Sequence, residues 1–335
     1  MSAPLETREL RPPPLEGGGR PATITLGFRQ WGRRNAAGDN TVLVCPALTG
    51  DSNLGQWWPG LLGPDRALDP QRDHIISIDV PGGSHASSGP GHLDTDGQPW
   101  GERFPMLTVR DVVSLQRNLL HELGIDRLRL VVGGSLGGMQ ALEWAVGQAD
   151  QVDAAVVIAA AARQSAWARA WNHIQRLALA SSDNLALARQ IAMLSYRHWD
   201  NLNERFAPQD TDRTVASWLD HHGERLKQRF NSISYRHLTE LMDSHDVGRD
   251  RGGVAQALGQ CPVPALILGI ESDLLYPPCD QQALAEHLPN ATLRWLDAPQ
   301  GHDAFLIEQR RVNALLLSFR RHLRNGQAQS LELRA

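Results

Sequence analysis

At 335 residues, with 41% apolar and 21% charged side chains, the chain has a globular enzyme's composition and room for one large domain or two small ones. Its formal net charge of -4 suggests no nucleic-acid footprint, and no apolar run approaches the ~20 residues of a membrane span. The N-terminal MSAPLETRELRPPP lacks the apolar core of a signal peptide, and Cys45, Cys261 and Cys279 are odd in number without metal-like spacing. Reduced thiols in a cytoplasmic protein, with no metal site, are the expectation.

Residues 1–22 are rich in proline, glycine and charge and read as a loose arm. Thr23–Trp31 reads as a first strand, Thr41–Cys45 (TVLVC) as a short buried one, and His74–Val80 (HIISIDV) as another. The loop PALTGDSN follows TVLVC, and a long glycine-rich loop, PGGSHASSGPGHLDTDGQPWGERFP, follows HIISIDV. Thr108–Leu123 has the apolar spacing of an amphipathic helix, ended by Gly124.

Leu130–Glu143 (LVVGGSLGGMQALE) carries the strongest signal. An apolar run ends in Gly-x-Ser-x-Gly, and from Met139 the apolar residues Met139, Leu142 and Ala145 take helical spacing. A strand that turns through such a motif into a helix is a nucleophile elbow, with Ser135 exposed at the tip. Glycine is required at Gly133 and Gly137 because the turn leaves no space for side chains. An ordinary strand-to-helix turn with a capping serine would show a similar motif, so Ser135 needs partners.

Val152–Ala159 reads as the next strand. From Gln164 to Arg251 the pattern becomes almost wholly helical and carries Trp167, Trp171, Trp199 and Trp218. Ala265–Gly269 and Thr292–Leu296 then resume the strand rhythm, and Ala304–Leu323 closes as a helix. Continuous apolar strands alternating with helices indicate a mostly parallel, doubly wound sheet covered on both faces, and a nucleophile elbow in such a sheet points to the α/β-hydrolase fold. The expected organisation is an arm at 1–22, a core of 23–163 and 252–335, and an inserted helical lid at 164–251.

A serine nucleophile needs a base, and the base needs an orienting acid, in the chain order Ser, acid, His. Asp273 follows the strand ALILG and His302 follows TLRWL, so both fall at strand ends. Glu271 and Asp297 compete with Asp273 for the acid's role. The oxyanion needs two backbone N–H groups, one from Leu136 after the nucleophile and one from the early loop, where Leu48 is the candidate.

The segments CPALTGDSN, QWWPGLLGPDRALDP, SSGP, ERFPMLTVRDVV, GGSLGGMQALEWA, LARQIAMLSYR, RFNSISYRHLTELMD, ESDLLYPP and GHDAFLIE together resemble the homoserine O-acetyltransferases, in the same order, from about Asn40 to Glu308. The resemblance implies acyl transfer from acyl-CoA to the hydroxyl of homoserine, a step in methionine biosynthesis, with acyl-CoA a substrate and no resident cofactor. It assigns Ser135, His302 and Asp273 to the triad and Leu48 and Leu136 to the oxyanion hole. It further implies that Asp303 holds the acceptor's amine, that Arg176 (in Asn172-x-x-x-Arg176) meets its carboxylate, and that Tyr196 lines the pocket.

Two departures stand out. Pro46 replaces the family's usual histidine, and the stretch after Arg176 is shortened to LALASSDNL. Succinyl-CoA as donor or serine as acceptor remains open, as does an esterase or thioesterase built on the same triad. A non-catalytic binding protein of this fold is the third alternative, opposed by the intact triad. Trp199 and Trp218, if exposed on lid helices, would favour a homodimer.

Overall fold

The apolar runs form strands buried on both faces because helices cover the sheet from either side. The computed structural model describes residues 2–182, 184–207 and 214–332. The expected lid and core therefore include residues (183, 208–213 and 333–335) that lie outside the description.

Eight strands form one sheet: β1 (Glu6–Leu10), β2 (Ile24–Trp31), β3 (Thr41–Cys45), β4 (His74–Ile78), β5 (Leu130–Gly134), β6 (Ala155–Ile158), β7 (Ala265–Ile270) and β8 (Ala291–Leu296). Their order is β1-β2-β4-β3-β5-β6-β7-β8; β1 and β2 are antiparallel to their neighbours and the rest pair in parallel. After β3 the chain steps to one side for β4 and to the other for β5. In open α/β sheets such a reversal, at the carboxyl ends of the strands, is where ligands bind. Leu48 follows β3 and Ser135 follows β5, so the topology brings them to one place.

Alternate residues of the central strands enter two separate cores. Leu43 and Val131 face one; Val42, Val44, Leu130 and Val132 face the other. The first is closed by α2 (Val109–Glu122), α3 (Leu136–Gly147), the short α9 (Val254–Gly259) and α10 (Pro278–His287). The second is closed by the single turn α1 (Leu54–Trp57) and by α11 (Ala304–Ile307) and α12 (Gln309–Glu332). Thr108 caps α2 in a capping box with Asp111, which fixes where that helix begins.

Between β6 and β7 run α4 (Ala166–Ser182), α5 (Leu185–Ser195), α6 (Trp199–Arg205), α7 (Val215–Lys227) and α8 (Ser232–Asp243). The segments entering and leaving this insertion pair at its neck, Gln164 N–H donating to His245 at 2.9 Å and Val247 N–H to Ala162 at 3.0 Å. The helices reach the loops at the carboxyl edge of the sheet: Arg229 donates to Thr49 after β3, Asn231 to Ser84 after β4, and Trp167 to Leu274 after β7.

Three expectations are corrected. The N-terminal arm is not loose, because Glu6–Leu10 pairs with β2 along its length, and Glu16 is clamped by Arg110 at 2.8 Å and Arg249 at 2.6 Å. The elbow helix starts at Leu136, three residues before Met139, so its two glycines lie inside the first turn. The closing helix is broken at Glu308 into α11 and α12.

Candidate active site

Ser135 sits between β5 and α3 with φ 57° and ψ −123°, a left-handed conformation that a side chain adopts only when its surroundings impose it. The surroundings are the two flanking glycines. A Cβ on Gly133 would lie 2.2 Å from the Gly137 carbonyl oxygen, and one on Gly137 would lie 2.2 Å from that of Cys45. Bare backbone lets the elbow press against the end of β3. Gly134 does the same for another element, since a Cβ there would meet the Phe305 ring at 2.5 Å. Phe305 is three residues past His302, so this contact seats the histidine loop against the strand that carries Ser135.

His302 is buried, and its Nδ1 lies 2.7 Å from Asp273 Oδ2. Asp273 Oδ1 accepts the N–H groups of Leu275 at 2.8 Å and Tyr276 at 3.0 Å, which locks the carboxylate in a turn after β7. Of the three carboxylates considered, Asp273 reaches the imidazole, while Glu271 and Asp297 are exposed. Burial alone would lower the His302 pKa, but the charge and hydrogen bond of Asp273, with the Asp303 charge, outweigh it and raise the group above its ordinary value. The opposite ring nitrogen, Nε2, is buried with no hydrogen-bond partner among the described residues. It is the nitrogen left to act on a nucleophile.

Leu48 lies inside a turn closed by the Gly50 N–H on the Ala47 carbonyl at 2.9 Å, a bond that leaves the Leu48 N–H out. The Leu136 N–H opens α3, where a helix presents unpaired donors and positive potential. Neither group donates to another described residue.

The insertion also meets this site beside His302. The Tyr196 ring lies 5.5 Å from that of His302, the Tyr276 ring lies 5.4 Å from it, and Asp303 N–H donates to the Tyr196 carbonyl at 3.2 Å. Burial, foremost, pushes both phenols up, so both remain neutral donors. Asp303 pairs with Arg197 Nη2 at 3.2 Å, both side chains being largely buried. Its side chain caps no helix. Arg176 pairs with Asp243 at 2.7 Å and keeps its buried Nη1 without a partner among the described residues. Asp243 is near enough to contribute to raising the Tyr276 phenol, behind burial.

Sequence reasoning passed over Arg197 and Tyr276. Arg197 directly follows Tyr196 in LSYR and Tyr276 stands three residues after Asp273 in DLLY, but the role of each depends on contacts across the fold. Arg197 also stacks over Trp218 at 5.6 Å, and with Arg205, Phe206 and His222 it leaves that tryptophan half-buried, while Trp199 is exposed.

A serine at an elbow, a histidine–aspartate pair on neighbouring strand ends and two free N–H groups at a topological switch point define the α/β-hydrolase class. The family model for the alpha/beta hydrolase fold matches residues 40–309. The chain is 44% identical over 331 residues to homoserine O-acetyltransferase of Trichormus variabilis, covering 92% of this chain and 91% of that one. The crystal structure of homoserine O-acetyltransferase from Staphylococcus aureus is similar with a TM-score of 0.82 at 30% identity, over 95% of each chain. The acetyl esterase MekB is similar with a TM-score of 0.85 at 25% identity, over 94% of this chain and 96% of that one. The chain belongs to the homoserine O-acetyltransferase family.

Proposed function

We propose that this chain transfers the acetyl group of acetyl-CoA to the side-chain hydroxyl of L-homoserine, serving methionine biosynthesis, through a covalent acyl-serine. Ser135 Oγ attacks the thioester carbonyl as His302 Nε2 takes its proton. The oxyanion rests on the N–H groups of Leu48 and Leu136. Collapse expels the CoA thiolate, which receives the proton from His302. Homoserine's hydroxyl then gives its proton to His302 and attacks the acyl-serine. Collapse of the second tetrahedral intermediate releases O-acetylhomoserine, and the proton returns to Ser135 Oγ. Both substrates are consumed, and the scheme calls for no resident cofactor.

The observation that carries transfer over hydrolysis is the Arg197–Asp303 pair beside His302. Water has no ammonium for Asp303 to hold, whereas an amino acid does. Transfer outruns hydrolysis only when the acceptor is held at high effective concentration, and positioning supplies on the order of 10⁵ M or more. Asp303 would take the ammonium, with Arg197 aligning it. Arg176, with its unpaired Nη1, would take the carboxylate, and Tyr196 would line the pocket. The acylated serine would lie between them.

Asp303→Asn keeps an acceptor for Arg197 while removing the charge, so the fold should survive. One charge-assisted contact in a partly desolvated site is worth roughly 2–4 kcal/mol. The second half-reaction should therefore slow by about 30- to 1000-fold, with acylation of Ser135 nearly unchanged. Rapid-quench measurement of both half-reactions checks this; equal slowing of both would remove Asp303 from acceptor binding.

No described helix is long and apolar enough to cross a membrane, and the proposed location is the cytoplasm. Trp167, Ile174 and Leu177 on α4, with Leu187 and Leu194 on α5, are exposed, and an apolar face of this kind suits a second copy of the chain. A homodimer at micromolar concentration by analytical ultracentrifugation is the expected result, and Leu177→Asp should weaken it. A wild-type monomer would exclude it.

A further inference from the structure

Behind the two oxyanion donors lies a buried polar relay to which the mechanism above gives no part. Gln140 on α3 is fully buried, and its Nε2 donates to the carbonyls of Pro46 at 3.2 Å and Leu136 at 3.1 Å. Its Oε1 accepts from Gln116 Nε2 on α2 at 2.7 Å, and Gln116 Oε1 accepts from Trp144 Nε1 at 2.9 Å. Gln116 and Trp144 are buried as well.

The far end of the relay fixes its direction. An indole N–H only donates. Gln116 must turn its oxygen to Trp144, which leaves its NH₂ for Gln140. Gln140 must then accept with its oxygen, which leaves both protons of its own NH₂ for the two carbonyls. A flipped amide at Gln140 would set oxygen against two carbonyl oxygens in a fully buried site. One arrangement satisfies every bond.

Those two carbonyls belong to the segments that supply the oxyanion donors. Pro46 stands two residues before Leu48, and Leu136 carries the other N–H. We propose that Gln140 is a positioning residue that clamps the β3 loop to the elbow, so that the Leu48 and Leu136 N–H groups converge on one oxygen, with Gln116 and Trp144 holding its amide the right way round. The proposal rests on the reading of Ser135 as nucleophile and on no particular acyl donor or acceptor. A histidine or proline at position 46 offers the same carbonyl, so the clamp does not depend on that side chain.

The test is acylation of Ser135 by p-nitrophenyl acetate, with active sites counted from the burst. Gln140→Met keeps the volume and removes the donors; Gln140→Glu keeps the shape but offers no NH₂. Each should slow acylation per active site by about 10- to 100-fold, because a displaced donor forfeits much of its effect on the oxyanion. KM should change little. Binding of a trifluoromethyl ketone, whose adduct carries the oxyanion, should weaken in parallel. Should either Gln140 variant fail to fold, Trp144→Phe removes the indole N–H while keeping an aromatic, if smaller, ring, and should slow acylation by about 3- to 10-fold at unchanged KM. Folded variants with wild-type acylation rates and lowered melting temperatures would make Gln140 core filling and overturn the proposal. The ester needs neither CoA nor an amino acid, so a wrong natural substrate leaves the comparison standing. Full acylation of Ser135→Ala would instead sink the nucleophile reading.

Discussion

Ser135→Ala should show no acyl-enzyme and a fall in turnover on the order of 10⁴- to 10⁶-fold, with melting temperature unchanged or slightly changed. Alanine retains the Cβ, so the backbone strain at φ 57° stays and the elbow keeps its shape. Only the oxygen is lost. Residual catalysis would come from binding and from the Leu48 and Leu136 N–H groups. Intact-protein mass spectrometry after mixing with acetyl-CoA reads the outcome directly: wild type should gain one acetyl group and the variant none. Ser135→Gly offers a control, since glycine accepts this φ without strain and should be equally inactive but more stable, by roughly 1 kcal/mol. Acetyl capture by Ser135→Ala would place the nucleophile elsewhere.

Asp273→Asn should lower turnover by about 10⁴-fold, and the reason lies in which atoms the carboxylate serves. Oδ1 accepts two backbone N–H groups, from Leu275 and Tyr276, so an asparagine must leave its oxygen there. Its NH₂ then faces His302 Nδ1, which has to become an acceptor. The ring proton moves to Nε2, the nitrogen that should take the serine's proton, and the base is blocked. The pH profile carries a second signature. In the proposed mechanism His302 works as a neutral base, and Asp273 raises its pKa, so the acid limb of wild-type kcat/KM should lie above the ordinary histidine value, about 6.5. Removing that charge leaves burial, which lowers the pKa, and Asp303, which raises it less. The limb of the residual activity should shift to lower pH. A limb that stays in place would mean that another group titrates in wild type.

The strand-end positions of the three proposed triad residues were readable because chain order carries direct information about the sheet. Ser135, Asp273 and His302 each follow an apolar run by a few residues, and parallel strands bring their carboxyl ends together. The choice among Glu271, Asp273 and Asp297 was less secure in the sequence, since it depends on side-chain direction after β7. The arm was misread from composition. Four of the five residues of ETREL are exposed, as in a charged edge strand, and its pairing with β2 is a tertiary contact that no local pattern encodes. Glycines at positions 137 and 138 hid the start of α3, whose burial overrides their weak helix propensity. The Arg197–Asp303 pair and the Gln116–Gln140 bond join residues far apart in sequence and belong to packing alone.

In the proposed reaction the acyl-serine is discharged by an amino acid's hydroxyl in preference to water. Its most direct test follows the products from acetyl-CoA by mass spectrometry, with and without L-homoserine, with L-serine and succinyl-CoA as substitutes. Homoserine should accelerate CoA release, and O-acetylhomoserine should exceed free acetate by a wide margin. A larger rate with succinyl-CoA or serine would reassign the donor or acceptor within the same mechanism. Equal CoA release in every mixture, with acetate as the sole product, would contradict the transferase account and leave an esterase or thioesterase.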